Sequence, residues 1–149
     1  MDSTTPDRAA PAKAANATDI RSLINTFFTR LGAQDAEGVA ALFAEDIDWF
    51  VPGPQALPWT GQRTRREQVP AYFRTMWSHF ELAHSRAQID KLLFDGEDAV
   101  ALGRFSHVAR STGQAFSTPF AMHLTVKNGA ITALHLHEDT YAVGKAFGV

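Results

Sequence analysis

No cysteine occurs anywhere in the 149 residues. That excludes a disulfide framework, thiolate chemistry and cysteine-held zinc or iron–sulfur centres. Any metal would need His, Asp and Glu as ligands. An excess of either charge is lacking too: 14 Lys and Arg against 16 Asp and Glu leave a formal charge of -2. General attraction to nucleic acid or to an anionic membrane is therefore not expected. No apolar run approaches the roughly 20 residues of a membrane span. The N-terminus also lacks the continuous apolar stretch of a secretory signal. A cytoplasmic location is the expectation. What is present, 45% hydrophobic and 20% charged residues, is the composition of an ordinary globular protein, and the length suits one core rather than two.

Residues 1–17 are rich in Ala, Pro, Thr and Ser and hold no large apolar side chain after Met1. Such a stretch cannot offset the entropy of ordering, so it reads as a disordered leader ahead of a single domain over 18–149. From Thr18 onward, Ile20, Leu23, Ile24, Phe27, Phe28 and Leu31 fall at steps of three and four. That spacing lays one apolar stripe along a helix, capped at Thr18 or Asp19 and stopped near Gly32. Asp35 is a plausible cap for a second helix ending near Asp46, with Val39, Leu42 and Phe43 buried. Ile47–Val51 reads as a strand, ended by Pro52-Gly53-Pro54. A proline-rich loop carrying Trp59 follows. Thr64-Arg65-Arg66-Glu67 fits a capping box, and Val69, Phe73, Met76, Trp77 and Phe80 continue the apolar face of a third helix, with a kink or a true start near Pro70.

Beyond Glu81 the period drops to alternation, and turn signals recur at Asp95-Gly96, Ser111-Thr112-Gly113 and Asn128-Gly129. The spacing predicts four strands near 83–94, 99–110, 115–127 and 130–139, joined by hairpins. Helices first and strands later imply an α+β domain, a curved sheet enclosing its interior with the helices' apolar stripes. A cone of that kind closes at its narrow end and leaves a pocket at its wide end.

The stretch from Gln34 to Asp46, the strand ending at Pro52, Thr60-Gly61 before a helix, and a meander closing on Glu138-Asp139-Thr140 together resemble the NTF2-like superfamily, in its SnoaL-like and ketosteroid-isomerase-like branch. The resemblance covers about residues 18–147. It implies a cone-shaped, mainly antiparallel roll with three N-terminal helices in the concave face, a hydrophobic pocket for a small ligand, and a homodimer through the convex face. Ketosteroid isomerase chemistry does not carry over. Phe27, Val51 and Ala121 stand where that branch has its tyrosine, its general-base aspartate and its protonated acid, and none can do that work. The aspartate–arginine–aspartate set typical of limonene epoxide hydrolase is not recognisable either. SnoaL-like polyketide cyclases resemble the chain in having an acid at the end of the last strand, here Asp139. That implies either a cofactor-independent isomerase or cyclase moving a proton on a hydrophobic carbonyl compound, or a binding module that keeps the pocket without the chemistry.

Several residues are candidates for that chemistry. Asp139 and Glu138 are the acids; at the mouth of an apolar pocket, desolvation raises a carboxyl pKa toward the useful range. Their alternative roles are to cap the C-terminal segment 140–147, to pair with an arginine, or to face solvent. The resemblance puts Ala121's side inward, which makes His123 a candidate acid–base or hydrogen-bond donor, unless it is a polar residue on a dimer face. Arg104 either anchors a carboxylate, a phenolate or Glu138 or sits at an exposed strand end. His135 and His137 share one side of a strand about 7 Å apart. They could meet a metal if His107 or Asp139 converged, but the resemblance turns them outward and Leu134, Leu136 and Glu138 inward. Phe27, Trp49, Trp59, Tyr72, Met76 and Trp77 supply a lining for a flat hydrophobic ligand. Of these, only Trp59 lacks a periodic reason to be buried, so it is a lid or an interface residue.

Overall fold

The computed structural model describes residues 9–149, with side chains from Ile20 onward. Helix α1 (Ala9–Gly32) and helix α2 (Ala36–Ala40) precede strands β1 (Phe43–Val51) and β2 (Gly61–Arg65). Helix α3 (Val69–Ser78) then leads into β3 (Arg86–Asp95), β4 (Asp98–Val108), β5 (Ala115–Lys127) and β6 (Ala130–Glu138), and helix α4 (Thr140–Phe147) follows. The six strands form one sheet in the order β2-β1-β6-β5-β4-β3. All neighbours are antiparallel except β1 and β6, which run parallel. The meander is held by tight turns such as Asn128-Gly129, where both residues take positive φ (52° and 76°), the conformation a two-residue hairpin needs. No helix among the described residues is long and apolar enough to cross a membrane.

The apolar stripe of α1 packs as its spacing requires: Ile20, Ile24 and Phe27 are buried, with Leu23, Phe28 and Leu31 against them. Phe27, Phe43, Trp49 and Tyr72 form a chain of tilted and edge-on rings with neighbouring centroids 4.8–6.2 Å apart. Phe73 joins it 5.8 Å from Trp49. These spacings fall in the favourable range for aromatic pairs, and the cluster welds α1 and α3 to β1.

Several expectations are corrected. The chain has four α-helices among the described residues rather than three N-terminal ones. The fourth forms because Asp139 accepts a hydrogen bond from the Ala142 N–H (3.1 Å) at its start, and Gly148 takes the left-handed conformation at its end. Helix α2 stops at Ala40 rather than near Asp46, because Phe43–Val51 is claimed by β1, which pairs with both β2 and β6. The loop after Trp59 contains a strand, β2. Thr64 therefore lies in that strand rather than capping a helix, and the Thr64 and Arg65 N–H groups donate instead to the Gln68 side chain (2.8 and 3.0 Å). The third helix starts at Val69 with Pro70 in its first turn, where a missing N–H costs nothing. The start expected at Thr18 lies inside α1. Residues 1–8 of the expected leader lie outside the described residues.

The inner face of β4 explains how the sheet encloses its contents. Ala99, Ala101 and Gly103 point inward and are buried, while the larger Val100 and Leu102 are half-buried on the outside. Gly103 is required there: a Cβ would stand 2.0 Å from the Gln88 carbonyl oxygen and 2.9 Å from the Phe120 ring. The register shift between Ile89 and Lys91 bends β3 beside this approach. Small inward residues on a bent sheet leave room under it.

Candidate active site

That room is a cavity of about 330 Å³ between α1, α3 and the inner faces of β3 to β6. Apolar side chains make most of its wall, among them Phe28, Phe73, Trp77, Phe105, Met122 and Leu136. Exposed Gly32, Gln34, Arg86 and Ala87 form its rim. Such a wall supplies little hydrogen bonding, so the few polar groups that reach it decide what it can hold.

Glu138 is the first of these. It is the last residue of β6 and follows Leu134 and Leu136 on the inward side. No hydrogen bond or ion pair holds its carboxyl among the described residues. Burial first, and the charge of Asp139 second, push its pKa up to about 7. A carboxyl in this state holds or releases a proton near neutrality. Beside it Thr118, only 1% exposed, receives the Asp139 N–H (2.8 Å) and donates to the Pro119 carbonyl (2.9 Å). The first of these bonds pins the end of β6 to β5, and the second orients the Thr118 hydroxyl within β5.

Tyr72, on α3, is the second. Among the described residues its hydroxyl meets only the Met76 sulfur, at 3.5 Å, a weak acceptor that a better one can replace. Burial and the nearby Glu138 raise its pKa, so it stays a protonated donor. The Arg63 guanidinium lies over its ring at 4.9 Å and fixes the ring's other side. His107, on β4, is the third. It stacks flat on Phe80 at 4.2 Å and 7°, and its Nδ1 lies 2.9 Å from Ser85 Oγ. Burial lowers its pKa to about 4, which leaves a neutral imidazole at ordinary pH.

Of the residues proposed from sequence, the structure brings Glu138, Trp59, Tyr72, Met76, Trp77 and His107 together around this cavity. Trp59 is buried at 3% exposure, its ring 5.1–5.6 Å from His79, Phe80 and Phe147, so it closes the wall instead of covering the mouth. The rest stand elsewhere. Asp139 is exposed and spends its carboxylate on capping α4. His123 lies on the outer face, where its Nε2 is 2.8 Å from Asp98 Oδ1; that bond, with one from Thr125, holds the Asp98 carboxyl below its usual range. The inward residues of β5 are Phe120 and Met122, because strand alternation turns Ala121 and His123 away. Arg104 is exposed and reaches Ser117 Oγ at 3.3 Å. Phe27 and Trp49 are core residues, filled on all sides by the aromatic cluster.

His135 Nε2 is 3.0 Å from Asp48 Oδ1, but no hydrogen bond is aligned between them. Among the described residues no three His, Asp or Glu side chains converge as metal ligands. Sequence reasoning missed Ser85 and Thr118 as site residues and considered His107 only as a metal ligand. The alternation of Gly103, Phe105 and His107 on one side of β4 was the signal for the last.

Known proteins can now be set beside this geometry. A family model described as a SnoaL-like domain matches residues 24–134, a match that ends four residues before Glu138. A search of curated proteins gives no significant match. An NTF2-like protein of unknown function from Burkholderia pseudomallei is similar at TM-score 0.80 and 23% identity, over 88% of this chain and 98% of that one. TerC, co-crystallised with polyporic acid, is similar at TM-score 0.76 and 15% identity, over 88% and 99%. A protein with a ketosteroid isomerase-like fold from Catenulispora acidiphila, in complex with trimethylamine, is similar at TM-score 0.71 and 16% identity, over 98% and 95%. At these identities the likeness is one of fold. The family match spans most of the chain, which belongs to the SnoaL-like domain family and carries its NTF2-like architecture.

Proposed function

We propose that the protein is a cofactor-independent enzyme that moves a proton on a small hydrophobic carbonyl compound, with Glu138 as the acid–base group. The observation that carries this reading is an inward carboxyl with no partner among the described residues, set in an apolar cavity and poised near neutral pH. Ionised, Glu138 removes a hydrogen from the carbon beside the carbonyl; protonated, it returns that hydrogen to the same or another carbon. Tyr72 donates its hydroxyl hydrogen to the oxygen on which the enolate charge develops, and the apolar wall keeps water from competing. Asp139, the acid that the resemblance singled out, gives way to its neighbour because its carboxylate is committed to α4. Two of the similar structures were crystallised with small molecules, which supports a small-molecule ligand here.

A second reading, a binding module without turnover, is favoured by Phe27 and Val51 at positions where ketosteroid isomerase chemistry needs polar groups. Hydrogen exchange separates the two. With benzylacetone in deuterated buffer, the protein is expected to speed exchange of the hydrogens beside the carbonyl, with activity rising as pH increases through about 7. Glu138→Gln should lower that rate by on the order of a hundredfold while the ketone still binds. Binding without any acceleration by the native protein would establish the binding module instead, and a fully active Glu138→Gln would remove Glu138 from the chemistry.

A further inference from the structure

We infer that His107 is a second polar anchor of the same cavity, selecting elongated ligands that carry an uncharged hydroxyl or phenol at the end away from the reacting carbonyl. The inference rests on the reading of Glu138 only for which end of the ligand reacts. Its own basis is the imidazole. Stacking on Phe80 and the contact with Ser85 fix the ring plane and occupy Nδ1. Nε2 has no hydrogen-bond partner among the described residues, and the side chain lines the cavity. This nitrogen is not sealed in the core as Trp49 Nε1 is, so a molecule in the cavity can reach it and supply the partner it lacks.

Position sets the ligand's length. Gly103 is level with Phe120, and Phe120 with Glu138, across neighbouring strands. His107 lies four residues further along β4, level with Phe116. Measured along the sheet, the two groups are therefore about 10 Å apart across the strands and about 13 Å along them. A ligand that meets both must be longer than it is wide.

Chemistry sets the group at that end. Phe80, Phe105 and Phe116 surround the imidazole, with ring centroids 4.2–5.9 Å away. An apolar box of this kind disfavours a charged group. Arg86 is at the rim, but it pairs with Ser106 in the register, one step from the inward Ala87 and Phe105, and so alternates to the sheet's other side. Because the Ser85 hydroxyl both donates and accepts, His107 can present either an N–H or a lone pair at Nε2. A ligand hydroxyl answers both, whereas a carbonyl answers one.

The test compares benzylacetone with para-hydroxybenzylacetone, which differ only in the distal hydroxyl. Binding is read from the fluorescence of Trp59 and Trp77, both in the cavity wall. The native protein is expected to bind the phenol about tenfold more tightly, the size of one added hydrogen bond. His107→Phe should bring the ratio close to one, His107→Gln should restore a preference, and Glu138→Gln should leave it in place. A ratio near one in the native protein would overturn the inference. So would a preference that survives in His107→Phe, or one that is lost only in Glu138→Gln. Turnover does not enter this readout, so an intact preference beside absent exchange separates failure of the proton-transfer reading from failure of this one.

Discussion

Glu138 and His107 are matched opposites, and their opposition has a sign that can be worked out. The folded pKa of Glu138 is raised from 4.5 to about 7, so the stability it contributes is complete below 4.5 and is lost as pH rises through 7. The folded pKa of His107 is depressed from 6.5 to about 4, so its contribution is present above 6.5 and is lost as pH falls through 4. The two trends oppose each other and flatten the native protein's profile between pH 4 and 7. Glu138→Gln removes one of them. In urea titrations the variant should match the native protein near pH 4 and exceed it at pH 8 by on the order of 2 kcal/mol. Equal stability at pH 8 would mean that the carboxyl is not confined in apolar surroundings. Alternation along β6 put Glu138 on the same side as Leu134 and Leu136, and only the family resemblance favoured that side as the inward one. What sequence could not supply was the division of labour with Asp139, since adjacent acids differ only in what each one touches.

The elements explain why that division arises. β6 ends at Glu138 and α4 begins at Thr140, leaving Asp139 alone between a strand and a helix, with its side chain on the helix N–H groups. Asp139→Asn keeps a capping oxygen and should preserve both the fold and most of the exchange activity, while moving the activity profile to lower pH because a charge that raises the Glu138 pKa is gone. Asp139→Ala removes the cap and should cost about 1 kcal/mol in thermal or urea unfolding. Loss of exchange in Asp139→Asn, with stability unchanged, would return the catalytic role to Asp139. Element type was legible wherever periodicity was strong, as in α1, α3 and the four meander strands. Facing was harder to read. On β4 the outward Val100 and Leu102 are bulkier than the inward Ala99, Ala101 and Gly103, because a concave face that must hold helices and a cavity has little room for large side chains. The usual rule that large apolar residues point inward therefore misreads this strand. On β5, a position carried over from related enzymes turned Ala121 and His123 inward, opposite to what Phe120 and Met122 require.

At the scale of the whole molecule, the described residues leave one side of the sheet uncovered. Phe50 and Leu93 are 44% and 49% exposed on the outer face, beside half-buried Val100, Leu102 and His123. Apolar exposure of this kind on a broad sheet suits a second copy of the chain. Light scattering should give a dimer mass, and Leu93→Glu should shift it toward the monomer; a native monomer would set the dimer aside. The inner side has a different consequence. The sheet behind it includes one parallel pairing, β1 with β6, in which Trp49 pairs with Leu134, 85 residues later in the chain. Contacts so distant in sequence are slow to form, and the cavity wall itself joins residues as far apart as Phe28 and Glu138. Until the sheet closes, the Glu138 carboxyl is in water and ionised at neutral pH; once it closes, the same group is partly protonated. Completing the fold at neutral pH therefore takes up a fraction of a proton from the buffer, and the burial that encloses the cavity is also what arms the acid.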